Sequence, residues 1–335
     1  MQTRHHTVGS ARHALGEESA GSKAGNFDRP RFWAETRSVD APVDRLFTCL
    51  NGRQLSGGGW PFLRGSIQMG LEPTCLALLA LRVQPSVSAT VLLKGQRRDG
   101  SWGSFATDDE ASGLTGLALL TLNTLGTFRD AASHAADWLL DAKGREASWI
   151  WKWKFRTTDT RVRFDPEKFG WPWDPGTCSW IVPTAFALLA LKQSYPCCRR
   201  GRIAYRIQRG VEMLLDRACP NGGWNAGNGV VYGAPMAPHV DATAIVLLAV
   251  RSEPRHELIE RSLAWLEHQS SSCSAPWSLA WSIIALDAYD MFVAPLQQRL
   301  ATLVEPDETN DTATLAAVAL ALDCTASGKP FKVIA

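Results

Sequence analysis

Three groups of side chains in this 335-residue chain have the type and spacing to do chemistry. The first is His239-Val240-Asp241-Ala242-Thr243-Ala244, which opens the apolar run "VDATAIVLLAV". An Asp two residues before a Thr at the head of an apolar segment reads as a helix cap; a histidine two residues earlier is within reach to hydrogen-bond it. The second is acidic: Asp108-Asp109-Glu110 and Glu308-Thr309-Asn310-Asp311-Thr312. Carboxylates at the start of a helix stabilise its N-terminus, and Asp108 to Glu110 could also hold Mg²⁺ on a diphosphate. The third is aromatic. The chain has 14 tryptophans against 4 tyrosines, and in "ASWIWKWKFRTTDTRVRF" Trp149, Trp151, Trp153 and Phe155 alternate with Ile150, Lys152 and Lys154. That period of two predicts a β-hairpin with an aromatic face. Metal chemistry is weakly supplied: Asp174-x3-Cys178 with a distant His239 lacks usual zinc spacing, and His5-His6 sits in a polar stretch. No metal and no cofactor is expected.

The elements that must position these residues form a repeat. "LLKGQRRDGSWGSF" (92–105) followed by "SGLTGLALLTLNTLG" (112–126) aligns without a gap on "LLDRACPNGGWNAG" (214–227), so that Leu92, Gly100 and Trp102 fall on Leu214, Gly222 and Trp224. In "LFTCLNGRQLSGGGWPF" Gln54, Gly58 and Trp60 keep the offsets of Gln96, Gly100 and Trp102, and "LEPTCLALLALR" follows. Later copies are "WPWDPGTCSWIVPTAFALLALK", holding Trp171, Trp173 and Trp180, then "LAWLEHQSSSCSAPWSLAWSIIALDA" and the half-copy "NDTATLAAVALALD". Each unit is an amphipathic helix, a Gly-rich turn, a Trp and an almost wholly apolar helix. One helix wet on one side and one apolar all round imply two layers. A period of about 50 residues marks a repeat array. Six such hairpins over residues 41–335 predict an all-α, (α/α)6 toroid, with residues 147–174 as an inserted small β-hairpin. Residues 1–40, poor in apolar side chains, read as a disordered tail.

Composition limits the partners. A formal charge of +2 lacks the basic surface of a nucleic-acid binder. No apolar run reaches the length of a membrane span, and the N-terminal stretch lacks the apolar core of a secretory signal. The eight cysteines show no CxxC pair and read as reduced thiols. A cytoplasmic protein is expected, with peripheral membrane contact and a protein partner left open.

Gln54-x3-Gly58-x-Trp60 and Gln96-x3-Gly100-x-Trp102 resemble the QW motif of squalene-hopene and oxidosqualene cyclases, within the prenyltransferase/squalene-oxidase repeat family. The likeness spans roughly residues 41–325, one toroid where the full cyclases carry two, and Ala218 replaces the Gln in one copy. It implies a central apolar cavity for a hydrophobic, isoprenoid-like ligand. It also implies a carbocation reaction begun by an Asp in a DxDDTA or VxDCTA motif, which falls on Asp241; here His239 replaces the first Asp and Ala242 the last. On this reading Asp241 is the acid, His239 tunes it, and Trp149, Trp151, Trp153, Trp171, Trp173 and Trp180 wall the cavity, their indole faces stabilising a passing cation. The alternative is a non-catalytic toroid that binds an isoprenoid, a peptide or a partner subunit. A prenyltransferase β-like subunit fits less well, because its Asp-x-Cys zinc pair is missing.

Overall fold

The computed structural model describes residues 40–82, 89–126, 128–158, 164–194, 200–254, 256–323 and 330–331. The expected N-terminal tail therefore lies outside the described residues except for Asp40. In chain order the helices are α1 (Asp40–Gly52), α2 (Leu71–Leu81), α3 (Thr90–Gly95), α4 (Thr115–Leu125), α5 (Arg129–Asp141), α6 (Trp149–Thr158), α7 (Ile181–Ser194) and α8 (Arg200–Asp216). There follow α9 (Val240–Val250), α10 (Glu257–Ser270), α11 (Pro276–Ala288), α12 (Ala294–Leu303) and α13 (Thr312–Leu322).

The apolar helices form the inner ring. α2 packs on α4, α4 on α7, α7 on α9, α9 on α11 and α11 on α13, and α13 returns to α2. The ring closes, so no end repeat is left to cap. The amphipathic α5, α8, α10 and α12 pack outside it, and α1 leans on α2 and α13. The chain has the α/α toroid fold expected from the repeat. The inner helices are buried on every side; Leu117, Ala118, Leu119 and Leu120 of α4 expose nothing.

One device recurs in four units. The indole N–H of Trp60, Trp102, Trp171 and Trp224 donates to a carbonyl at the end of an outer helix: Leu50 (2.7 Å), Leu92 (2.7 Å), Leu139 (2.8 Å) and Leu214 (2.6 Å). The backbone N–H of the same tryptophans donates to the hydroxyl of Thr74, Thr115, Thr184 and Thr243 in the first turn of the following inner helix, at 2.9–3.1 Å. The Trp thus satisfies a helix C-terminus on one side and is held by a helix N-terminus on the other. In the second unit Gln96 Nε2 donates to Gly100 O (3.0 Å) and to Ala131 O of α5 (2.8 Å). Gly100 has φ +92°, and a Cβ there would lie 2.3 Å from the His134 carbonyl oxygen. Only glycine allows both that turn and that approach.

The small β-structure is not where the aromatic alternation put it. Two-residue strands β1 (Trp60–Pro61) and β2 (Met69–Gly70) pair antiparallel, and β3 (Val230–Val231) and β4 (Ala234–Pro235) form a hairpin before α9. The insert is helical: Trp149–Thr158 is α6, preceded by a 3₁₀ turn at Arg145–Ala147. Its expected return strand falls outside the described residues except for Phe164. Alternation over seven residues does not exclude a helix, because residues four apart still share a face. A helix also pairs its own backbone, whereas a strand here would need a partner.

A buried ion pair anchors the insert to the ring. Arg217 Nη2 donates to Glu146 Oε1 at 2.7 Å with both side chains buried, and Arg217 Nη1 donates to Ser179 O at 2.6 Å. Ser179 N–H donates to the Glu146 carboxylate at 3.1 Å.

Candidate functional site

The repeat frame places side chains around the ring axis. Counting from the threonine that holds each Trp, or from Leu279 and Thr312 at its place in α11 and α13, the residue two before it is Glu72, Gly113, Val182, Asp241, Trp277 or Asn310. These six positions lie at or just before the N-termini of the inner helices, an end of the ring called the mouth below. One turn further in stand Leu76, Leu117, Phe186, Ile245, Trp281 and Thr314. The rings of Phe186 and Trp281 meet at 5.9 Å although α7 and α11 are separated by α9, so they touch across the axis. Trp277 stands edge-on to Trp281 at 5.7 Å. Phe331, buried, reaches Trp281 at 5.1 Å, and Gln193 Nε2 donates to the neighbouring Pro330 carbonyl at 3.0 Å. The axis is therefore packed with aromatic rings. The open central cavity implied by the resemblance is absent at this depth among the described residues, because Phe186, Trp281 and Phe331 fill it.

Asp241 is half-buried in the first turn of α9 and accepts no hydrogen bond from any described residue. It does not cap the helix: His239 occupies the cap position, its side chain makes no capping bond, and it is exposed. The two side chains are not hydrogen-bonded to each other. Asp311 does cap, accepting from Ala313 N (3.3 Å), Thr314 N (2.9 Å) and the Thr314 hydroxyl. Asp108 to Glu110 lie in the loop before α4 rather than in its first turn, and Asp108 Oδ2 accepts from Phe105 N at 2.8 Å.

Glu72 is the residue that sequence reasoning missed. It stands on α2, opposite α9 in the ring of six, at the repeat position of Asp241. Burial, with a smaller contribution from the Asp311 carboxylate beside it, pushes its carboxyl up to about 7. A carboxyl in an apolar setting resists ionisation because the charged form loses its hydration. The signal was legible: Glu72-Pro73-Thr74 repeats the spacing of Asp241-Ala242-Thr243.

The expected indole wall divides into separate places. Trp171 is fully buried, its N–H bound to Leu139 and the Arg206 guanidinium 4.0 Å from its ring centre, so it serves the fold and faces no ligand in this conformation. Trp173 is half-buried and, with Trp138, lines a groove of about 560 Å³ that also presents Arg97, Asp99, Glu110 and Lys143. Trp180 is partly exposed just before α7, while Trp149 and Trp153 are exposed on α6. Trp151 is half-buried beneath Arg145 and Lys154, at 5.2 Å and 4.5 Å from its ring centre. An adjacent cavity of about 370 Å³ is lined by Asp108, Asp109, Glu110 and Asp174. Cys178 is half-buried, its thiol pushed up by burial, and no group of His, Cys, Asp or Glu able to hold a metal occurs among the described residues.

No protein-family model matches the chain, and no curated protein matches it in sequence. Its structure is similar to a protein from Actinoplanes (TM-score 0.56, 15% identity, covering 85% of this chain and 98% of that one). It is also similar to the type II terpene cyclase MstE from Scytonema, in its apo form (TM-score 0.53, 14% identity, 85% and 97%). A third similar structure is a novel alpha-amylase from Clostridium perfringens (TM-score 0.52, 11% identity, 84% and 96%). At these identities the likeness shows the fold, which serves different chemistries. No helix among the described residues is long and apolar enough to cross a membrane.

Proposed function

We propose that the chain is an acid-initiated, terpene-cyclase-like enzyme acting on an isoprenoid at the mouth of the helix ring. The observation that carries this reading is Glu72, a carboxyl pushed up to about 7 at the repeat position that Asp241 holds across the ring, in the layer of Trp277 and one turn above that of Trp281. A neutral carboxylic acid is the form that can give a proton to an alkene. The acid's O–H bond breaks and its electron pair stays on the carboxylate. The alkene π pair forms the new C–H bond, leaving a carbocation on the neighbouring carbon. Ring closure consumes a second π bond, and loss of a proton from the final cation restores the acid. Indole faces at the floor would stabilise the passing charge. Because Phe186, Trp281 and Phe331 close the axis, the mouth suits a short prenyl chain better than one of squalene length.

Incubation with prenyl diphosphates, squalene and oxidosqualene, read by gas chromatography–mass spectrometry, tests this. A cyclised product lost in Glu72→Gln or in Asp241→Asn identifies the donor; a product surviving both removes the acid from this site. The packed axis favours a second reading, a non-catalytic toroid that binds its ligand at the mouth. That reading expects quenching of tryptophan fluorescence by prenyl ligands with no product from any of them.

A further inference from the structure

We infer that helix α6 is an interfacial anchor that lays the insert on an anionic lipid surface. Three of its first five residues are large, apolar and out in water: Trp149 is 79% exposed, Ile150 55% and Trp153 66%. At about 100° per residue these three fall in one stripe roughly 100° wide, with Lys152 and Lys154 on its two edges and Trp151 on the opposite face. The inward face is the one the structure occupies. Trp151 is half-buried under Arg145 and Lys154, while Lys152 Nζ pairs with Glu167 at 2.5 Å and lies 5.8 Å from the Phe169 ring.

Two indoles and an isoleucine exposed to this degree are unfavourable in water. The chemistry of the stripe selects the occupant. Tryptophan has a large apolar body and one N–H donor, which suits the boundary between acyl chains and headgroups. The helix "WIWKWKFRTT" carries three basic residues and no acidic one, and Lys143 and Arg145 precede it. Glu146, just before the helix in sequence, is buried and neutralised by Arg217. A cationic, Trp-rich helix complements an anionic bilayer electrostatically and apolarly at once. It is too short to span a bilayer and would lie in its plane. None of the four cavities described in the structure is lined by α6. The inference is independent of the reaction proposed above.

Flotation of the purified full chain with vesicles tests it, using phosphatidylglycerol mixed into phosphatidylcholine against phosphatidylcholine alone. The wild type is expected to float with the anionic vesicles and to be released by salt. Trp149→Ser with Trp153→Ser should lower partitioning by about tenfold or more, and Lys154→Glu by less. Both tryptophan positions are exposed, so circular dichroism and thermal melting of the double Ser variant should match the wild type. Brominated lipids should quench the wild type more than Trp149→Phe with Trp153→Phe. The inference is overturned if the wild type stays with the unbound fraction, or if the double Ser variant binds as well as wild type. Equal binding to uncharged vesicles, or a lipid-free self-association abolished by the same substitutions, also overturns it.

Discussion

The two ends of the inner ring are built from the same six helices and are dressed in opposite chemistry. At the mouth the helix N-termini carry Glu72, Asp241 and Asp311, and the loop before α4 adds Asp108 to Glu110. At the far end, eight residues after each threonine position, stand Arg82, Asn123, Lys192, Arg251, Asp287 and Leu320. Three of these lace each helix to the next. Asn123 Nδ2 donates to Ala190 O at 3.2 Å, Lys192 Nζ to Ala249 O at 2.7 Å, and Arg251 Nε to Ala288 O. Arg82 pairs with Asp323 at 2.6 Å, and Pro330 and Phe331 line a cavity of about 160 Å³ there with Leu79, Ile283 and Gln297. Acids at N-termini and cations at C-termini follow from the helix dipole. What differs is how completely each end satisfies its polar groups. The far end directs its cations to carbonyls and, at Arg82, to a carboxylate. The mouth leaves Asp241 without a hydrogen-bond partner among the described residues and Glu72 resisting ionisation.

The strongest way to break this contrast is at the mouth. Glu72→Gln or Asp241→Asn, whichever residue is the donor, should lower turnover by about 10²-fold or more. If the donor is Glu72, turnover should fall as pH rises through about 7, as the acid form is lost. The same group affects stability. Its folded pKa lies above its unfolded one, so the folded state binds the extra proton. The cost of Glu72 is absent below the unfolded pKa, grows as pH rises from about 4.5 to about 7, and stays in full above that. Glu72→Gln should therefore raise stability at pH 8 by on the order of 1–3 kcal/mol and hardly change it at pH 4, as measured by urea unfolding.

At the far end, Phe331→Ala should cost about 3–5 kcal/mol and open the axis beneath Trp281, raising the binding of an apolar dye. A variant that stays closed to the dye would mean that the seal lies elsewhere. Glu253→Gln leaves Lys192 buried without its 2.6 Å counter-ion. Burial already holds that ammonium below the usual lysine range. A loss of about 2 kcal/mol is expected at neutral pH, narrowing as alkaline pH neutralises the lysine. The smallest effect joins the two carboxylates of the mouth. Asp311→Asn keeps the α13 cap, since Asn caps a helix about as well as Asp. It also removes a negative charge beside Glu72. The Glu72 titration, followed by carboxyl NMR, should move to lower pH; an unchanged midpoint would assign its shift to burial alone.

Much of this was legible in the sequence because the repeat writes the same local problem several times. Gln96, Gly100, Trp102 and Thr115 each answer a need of a helix end, so type and spacing sufficed to expect six hairpins and two layers. The alternation of Trp149, Trp151 and Trp153 misled, because seven residues fit a strand and a short helix alike. What decided between them was the packing of Trp151 under Arg145 and of Lys152 against Glu167, contacts that lie outside the pattern. The candidate site was half legible. Asp241 and Glu72 share one spacing to their threonines, but their environments do not follow from spacing. Ring closure sets Glu72 beside Asp311 on α13, far away in the chain, and brings Phe331 in to seal the axis under Trp281. The sequence by itself determined the helices of the repeat, their turns and the closed ring, since these rest on local hydrogen bonds and apolar periodicity; it did not determine α6. Only the tertiary structure decided which carboxyl resists ionisation, which indoles are staples and which face water, because desolvation and exposure depend on neighbours brought together by ring closure.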